Sequence, residues 1–355
     1  MANKIRFACG FLILAFGFVE SFGGWNENAD SPQAIVLWDG KDPFGWSLPK
    51  DIVGKKDAQY VFGHGGAWEH NTSFGPGKIR VVFDAGDKAV LHFYRSSVNG
   101  GIKAKATYEG TGGSEWSNEW DGQASFRLAF ESLGVKVKRI EYYPSQMKPL
   151  FNGKDLSGWK VFPGKKSDYN WHSEGWLSVK NGPGDIQTEQ TFGNFLAQVE
   201  VRTNGKHLNS GIFFRGIPGQ YWMGYEAQVR NQFNEKPDQK YSIEIYDPKS
   251  NKLESKKELL TNAVDFGTGA IYRRVPARVQ ASHDKEWFTL TISAQGRHIS
   301  TWVNGIQVTD WTDNRPANDN PRQGFRAAPG VFSIQGHDPT TDIDFRNFKV
   351  YSTDK

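Results

Sequence analysis

Along this chain apolar and polar residues alternate with a period of two in many short stretches. Nowhere is an apolar period of 3.6 residues sustained. Phe195, Ala197, Val199 and Val201 alternate with Gln198, Glu200 and Arg202. Phe288, Leu290 and Ile292 alternate with Thr289, Thr291 and Ser293. Each run predicts a half-buried strand. Residues 299–303 and 306–308 flank Asn304-Gly305, a pair that tolerates the positive φ angles of a type I′ hairpin turn. Further Asn-Gly pairs begin at 99, 152, 181 and 204. Earlier in the chain, strands are expected over 78–83, 89–94, 125–130 and 135–143. Residues 248–264 are rich in Lys and Glu and poorly amphipathic, and read as an inserted loop with one helical turn. The expectation is an all-β protein: a jelly-roll β-sandwich preceded by a smaller β-sandwich unit.

Two decapeptides support that division. Leu37-Trp38-Asp39-Gly40-Lys41-Asp42-Pro43-Phe44-Gly45-Trp46 and Leu150-Phe151-Asn152-Gly153-Lys154-Asp155-Leu156-Ser157-Gly158-Trp159 share Leu, Gly-Lys-Asp and Gly-Trp at the same offsets. The first unit is placed at 35–143 and the second at 149–351, joined by the Pro-flanked linker 144–149. Residues 1–24 read as an export leader. Lys4 and Arg6 precede an apolar run over 7–19 that is too short for a comfortable bilayer crossing. This predicts a secreted or periplasmic protein with no membrane insertion once the leader is removed. The only cysteine, Cys9, falls in the leader, so the mature chain is expected to lack disulfides.

Composition narrows the partners. A net charge of +4, not gathered into a patch, argues against nucleic acid. The 39 glycines suit turns, and 13 tryptophans, 12 tyrosines and 25 phenylalanines suit strands. Trp-rich exported chains also suit carbohydrate, whose CH faces stack on aromatic rings. Most of the tryptophans are expected in the core and three or four at a ligand.

Strand parity groups the polar candidates. Glu226 and Gln228 share one face of their strand; Ser333, Gln335 and His337 share one face of theirs. Parity alone favours a solvated face over a ligand groove. Arg215 ends an apolar strand and is either an edge charge or a fork donor to a sugar or oxyanion. His337, near Asp338 and Asp342, is a candidate general base. Asp338, Asp342 and Asp344 could hold a divalent cation such as Ca²⁺, although turn and strand-edge roles fit them better. The spacing of His64 and His70 is not that of a metal site. Gly267-Thr268-Gly269 precedes a strand rather than a helix, so it does not cradle phosphate. Motifs of zinc proteases, serine hydrolases and P-loop enzymes are absent.

In series, several segments resemble the 3-keto-disaccharide hydrolase domain family: the 150–159 decapeptide, Asn209-Ser210-Gly211-Ile212-Phe213-Phe214-Arg215, Gly224-Tyr225-Glu226-Ala227-Gln228, Thr268-Gly269-Ala270-Ile271-Tyr272, Trp302-Val303-Asn304-Gly305 and Phe345-Arg346-Asn347-Phe348. They cover about 149–351. The resemblance implies a concanavalin-like jelly roll and cleavage of glycosides whose C3 hydroxyl has been oxidised to a ketone. It implies that the two polar strands face one groove. On that reading His337 or Glu226 is the base, and Arg215 and Gln228 steady an enolate or a hydroxyl. Gln335 and Tyr272 orient the sugar, and Trp222 or Trp302 stacks on it. The insertion at 249–264 and the Arg273-Arg274 pair depart from the family pattern. Two alternatives remain at this level: a non-catalytic carbohydrate-binding protein, and an exported scaffold acting through its first unit.

Overall fold

A computed structural model describes residues 32–47, 53–56, 59–62, 68–96, 102–110, 115–120 and 126–352. The expected leader and His64 lie outside the described residues.

Apart from a two-stranded sheet, Val53–Lys56 with Gln59–Phe62, the N-terminal unit holds one antiparallel sheet of seven strands. Two long strands, Gly77–Ser96 and Phe126–Pro144, run through it side by side. Each takes in two of the short strands expected from the sequence. A bulge in their register falls between Ala85 and Val90, the point where the apolar alternation breaks.

Lys148–Pro149 carries the chain into a sandwich of eight- and five-stranded antiparallel sheets. The five-stranded sheet runs, in spatial order, Trp159–Val161, Gly184–Phe192, Gly330–Gly336, Ser210–Gly216 and Tyr225–Val229. Between the sheets lie the apolar faces that period-two alternation creates. Ile186, Ile212, Phe214, Tyr225, Ala227, Phe332 and Ile334 from one sheet meet Ala197, Val199, Leu290, Ile292 and Phe345 from the other. Aromatic edges close the middle: Phe332 packs edge-on against Phe195 and Phe348 at 4.7 and 5.2 Å. Asn304-Gly305 turns the hairpin as expected, with φ of 49° and 78°.

The insertion is different from its sequence expectation. Residues 239–261 form a two-stranded hairpin, Gln239–Tyr246 with Leu253–Thr261, instead of a loop. Its Lys/Glu content masked the signal because it is used across the strands. Lys240 meets Glu258 at 3.4 Å and Lys256 meets Glu244 at 3.7 Å. Asp247 Oδ1 closes the turn by accepting the Lys249 and Ser250 amides. A single 3₁₀ turn, Val264–Phe266, follows.

The units meet over a buried polar network. Asp310 accepts bonds from Asn71, Ser300 and the His298 ring, while Thr72 Oγ1 donates to Ser300 Oγ at 2.9 Å. Trp302 is fully buried here, its ring lying against His70 and Phe74. Trp302 points away from the sandwich core because its neighbour Val303 occupies the inward position. It seals the junction and is not placed to stack on a ligand.

Candidate functional site

The outer face of the five-stranded sheet carries the polar halves of the same strands. Cross-strand register arranges them in two rows. Gln187 pairs with Ser333, Ser333 with Phe213, and Phe213 with Glu226. Asp185 pairs with Gln335, and Gly211 with Gln228. With Ile212 opposite Ile334, Gly211 falls beside Gln335, which completes the second row. At the usual strand spacing of ~4.8 Å, four strands give a platform roughly 14 Å across. These polar groups are not solvated: Asp185, Gln187, Glu226, Gln228, Ser333 and Gln335 are all buried.

Several acceptors on or beside this face have no protein partner: Asp185 Oδ1, Asn209 Oδ1, Gln228 Oε1 and Gln335 Oε1. Left dry, each would cost about 1–3 kcal/mol. Together that is a large share of a typical ~5–15 kcal/mol stability. They are therefore groups held ready for water or for ligand hydroxyls. Tyr221 adds an unpartnered hydroxyl beside Asp185, and burial, then the Asp185 charge, push it up to about 12.

Glu226 occupies the end of its row. Burial pushes its carboxyl up to about 7, against the opposing pull of Arg322 and Arg273. Arg322 Nη2 lies 3.2 Å from Glu226 Oε2, Nε donates to the Trp222 carbonyl, and the guanidinium sits over the Phe213 ring. The loop carrying Arg322 is anchored by Arg315. Arg315 is buried in a two-point pair with Asp313 and also donates to the Pro321 and Gly324 carbonyls. Gly211 leaves the space that Glu226 fills: a Cβ there would lie 2.6 Å from Glu226 Oε1. Asp185 is the second buried carboxyl. Burial raises it above the ordinary range, opposed by bonds from Gln187, Ser333 and the Trp222 backbone.

His337 stands at the end of the neighbouring strand. Its Nδ1 is 2.7 Å from Asp338 Oδ2, and its Nε2 is 3.4 Å from Asn209 Nδ2. An Asp338 carboxylate on Nδ1 assigns that nitrogen its proton and leaves Nε2 as the basic one. Burial acts to raise Asp338, but bonds from Thr340 and His337 outweigh it and hold it low. Trp222 lies nearly parallel to His337 and to Phe213, with centroids 6.2 and 6.4 Å away. Its backbone has φ +54°, a conformation that costs a bulky residue about 1–3 kcal/mol. It is held by Nε1 donating to the Gly184 carbonyl, by Arg322 and by stacking on Tyr221 at 4.5 Å.

Of the residues singled out from the sequence, Glu226, Gln228, Gln335, His337 and Trp222 come together on this face. Tyr272 flanks Glu226 through its backbone, N–H to the Glu226 carbonyl at 2.9 Å, but its ring rests edge-on against Phe266. Arg215 belongs elsewhere. At φ +47° it turns into the protein and donates to the Gly193, Gly296 and Arg326 carbonyls, pinning three loops. Trp302 lies in the junction between units. The solvated face that parity favoured is in fact covered, by Trp222 and the Arg322 loop. Gln228 donates one amide hydrogen to the Asp265 carbonyl and keeps its oxygen unpartnered for a ligand. Asp338, Asp342 and Asp344 do not converge on a cation: they serve His337 and Thr340, Asn204, and Arg202 respectively. No set of three or more metal-ligating His, Cys, Asp or Glu side chains occurs among the described residues.

Sequence reasoning missed Asp185 and Arg322. Asp185 and Gln187 obey the same i, i+2 rule as the other pairs and were findable by it. Arg322 lies in an irregular Pro- and Asn-rich loop where no periodicity operates.

A family model, the 3-keto-alpha-glucoside-1,2-lyase-like domain, matches residues 146–351 and contains every strand of this platform. The chain belongs to that family. Membership of the 3-keto-alpha-glucoside-1,2-lyase-like family supports a carbohydrate-active protein. Two putative glycosyl hydrolase structures from Parabacteroides distasonis ATCC 8503 are similar to it at 20% and 22% identity. They cover 59% of this chain and 94% and 100% of their own, with TM-scores of 0.43 and 0.42. The carbohydrate-binding module CBM66 from Bacillus subtilis is similar at 14% identity, covering 56% of this chain and 98% of its own, with a TM-score of 0.35. No curated protein matches the chain.

Proposed function

We propose that this protein acts outside the cytoplasm and cleaves glycosides whose C3 position is a ketone, with Glu226 as the base. The observation that carries the reading is the Glu226 carboxyl itself. It is buried on a face of unpartnered hydroxyl-binding groups and titrates close to neutral pH. A C3 ketone acidifies the hydrogen on C2. Glu226 takes that proton, and the C2–H electron pair moves into the enolate. Arg322 and Arg273 supply positive charge to the developing oxygen. The enolate then re-forms the ketone as the C1–O bond breaks, leaving a C1=C2 double bond conjugated to the C3 carbonyl. The departing oxygen takes a proton from Nε2 of a doubly protonated His337 ring, which Asp338 orients at Nδ1. Addition of water across the C1=C2 bond completes a net hydrolysis. Asp185, Asn209, Gln228 and Gln335 accept from sugar hydroxyls, and Trp222 offers a ring edge to the sugar.

The test is to incubate the purified protein with a 3-keto-disaccharide and with its unoxidised parent, and to follow release of free monosaccharide. Release from the keto sugar alone is expected. Equal release from both, or none from either, contradicts the proposal.

A further inference from the structure

The inserted hairpin does more than decorate the sandwich. Between it and residues 311–315 lies a cavity of about 370 Å³, within the ~300–1,000 Å³ range of ligand sites. Its walls include Lys256, Arg273, Arg274 and Arg315, and a single carboxylate, Glu244. Two aromatic side chains, Tyr246 and Trp311, also line it.

The positive charge there is under-compensated. Arg315 is committed to Asp313, but its Nη1, buried, has no partner. Arg274 donates to the Arg322 carbonyl, and its nearest carboxylate oxygen, on Glu244, is 4.0 Å away. That same Glu244 is shared with Lys256 at 3.7 Å. Burial, then the neighbouring Arg315 charge, pull the Arg274 guanidinium below its ordinary value despite Asp313 and Glu244. A protein that keeps such a cluster gains from an anion that sits in it.

The cavity adjoins the Glu226 platform through shared arginines. Arg273 lines the cavity and also acts on the Glu226 carboxyl. Arg322 bonds Arg274 through its carbonyl and Glu226 through its guanidinium. We infer that this cavity is a subsite for an anionic sugar unit, its carboxylate or sulfate held by Arg274 and Arg273 and its apolar face resting on Trp311 or Tyr246. This rests on the reading that the adjoining platform takes sugar. It names the substrate class as an acidic glycoside.

The experiment is calorimetric titration of the full chain with D-glucuronate, glucose 6-sulfate and glucose. At least one charged sugar is expected to bind about tenfold or more tightly than glucose, the worth of one charge-assisted contact. Whichever charged sugar binds better identifies the anion as carboxylate or sulfate. Arg274→Gln is expected to abolish that preference. Glu244→Gln, which removes the competing carboxylate without removing a cation, is expected to tighten binding of the charged sugar roughly threefold or more. Equal affinity for all three sugars overturns the inference. So does a charge preference that survives Arg274→Gln in a folded variant. If that variant does not fold, unchanged affinity in Glu244→Gln overturns it. None of these readouts uses cleavage, so failure of the subsite leaves the keto-sugar test standing. Failure of cleavage with charge-selective binding intact sinks only the catalytic reading.

Discussion

Glu226 works against its own stability. Its carboxyl titrates at about 7 rather than 4.5. A raised acid favours the protonated folded state, so stability falls as pH rises from about 4.5 to 7 and stays reduced above. Two and a half units correspond to about 3 kcal/mol. A protein tolerates that at a site it uses. The space for Glu226 depends on one absent methyl group, at Gly211. Gly211→Ala should push the carboxylate off its position. A fall of at least ~10-fold in kcat/KM is expected with only a small change in Tm. Unchanged turnover in a folded Gly211→Ala protein would show that Glu226's position is not critical. Arg215 teaches the opposite lesson. A strand-terminal Arg looked like a ligand clamp, but its guanidinium is satisfied by backbone carbonyls and has nothing left to offer a substrate.

At the scale of elements, some features were legible in full. The two decapeptides are the same physical device. In each, an Asx side chain accepts two following amides: Asp39 from Lys41 and Asp42, Asn152 from Lys154 and Asp155. In each, the closing Trp indole donates to the opening Leu carbonyl, Trp46 to Leu37 and Trp159 to Leu150. Glycines at φ from 76° to 86° make both turns. Local chemistry of this kind is written in consecutive residues. The polar rows on the sheet were half legible. Parity placed Glu226 with Gln228 and Gln335 with His337, but which strands lie side by side depends on register between segments more than 100 residues apart. The hairpin at 239–261 was illegible because neither face is purely apolar; it is held by cross-strand charges that composition cannot distinguish from a solvated loop. Arg322 was illegible for a related reason, since its place is set by the anchoring of Arg315, not by any period.

At the scale of the whole molecule, the two units are coupled through a network that titrates. His70 is fully buried, and burial chiefly lowers it to about 3, against the Asp310 charge, while the His298 charge adds to the lowering. Nδ1 accepts the Thr72 amide. A histidine kept neutral in the folded state contributes stability above the unfolded pKa of 6.5, lost as pH falls from there toward 3. The full effect is on the order of 5 kcal/mol. Asp310, held at about 2, acts only below about pH 4, and Glu226 acts in the opposite sense between 4.5 and 7. The difference between proteins is therefore the clean readout. His70→Asn, which keeps an acceptor for the Thr72 amide, should be less stable at pH 8 but lose less stability than wild type between pH 6.5 and 4.5, by chemical denaturation. Parallel curves for the two proteins would mean that His70 does not carry the acid sensitivity.

The proposal that this face performs elimination on a keto sugar stands or falls on Glu226. The direct measurement is kcat/KM against pH on a 3-keto-disaccharide for wild type and Glu226→Gln, with Tm recorded alongside. A base must be ionised, so wild-type activity should fall below about pH 7. Glu226→Gln should lose at least ~10²-fold while melting no lower than wild type at pH 8. Wild-type activity that stays level from pH 8 to 5, or a Glu226→Gln protein that still turns the sugar over at the wild-type rate, would contradict the account.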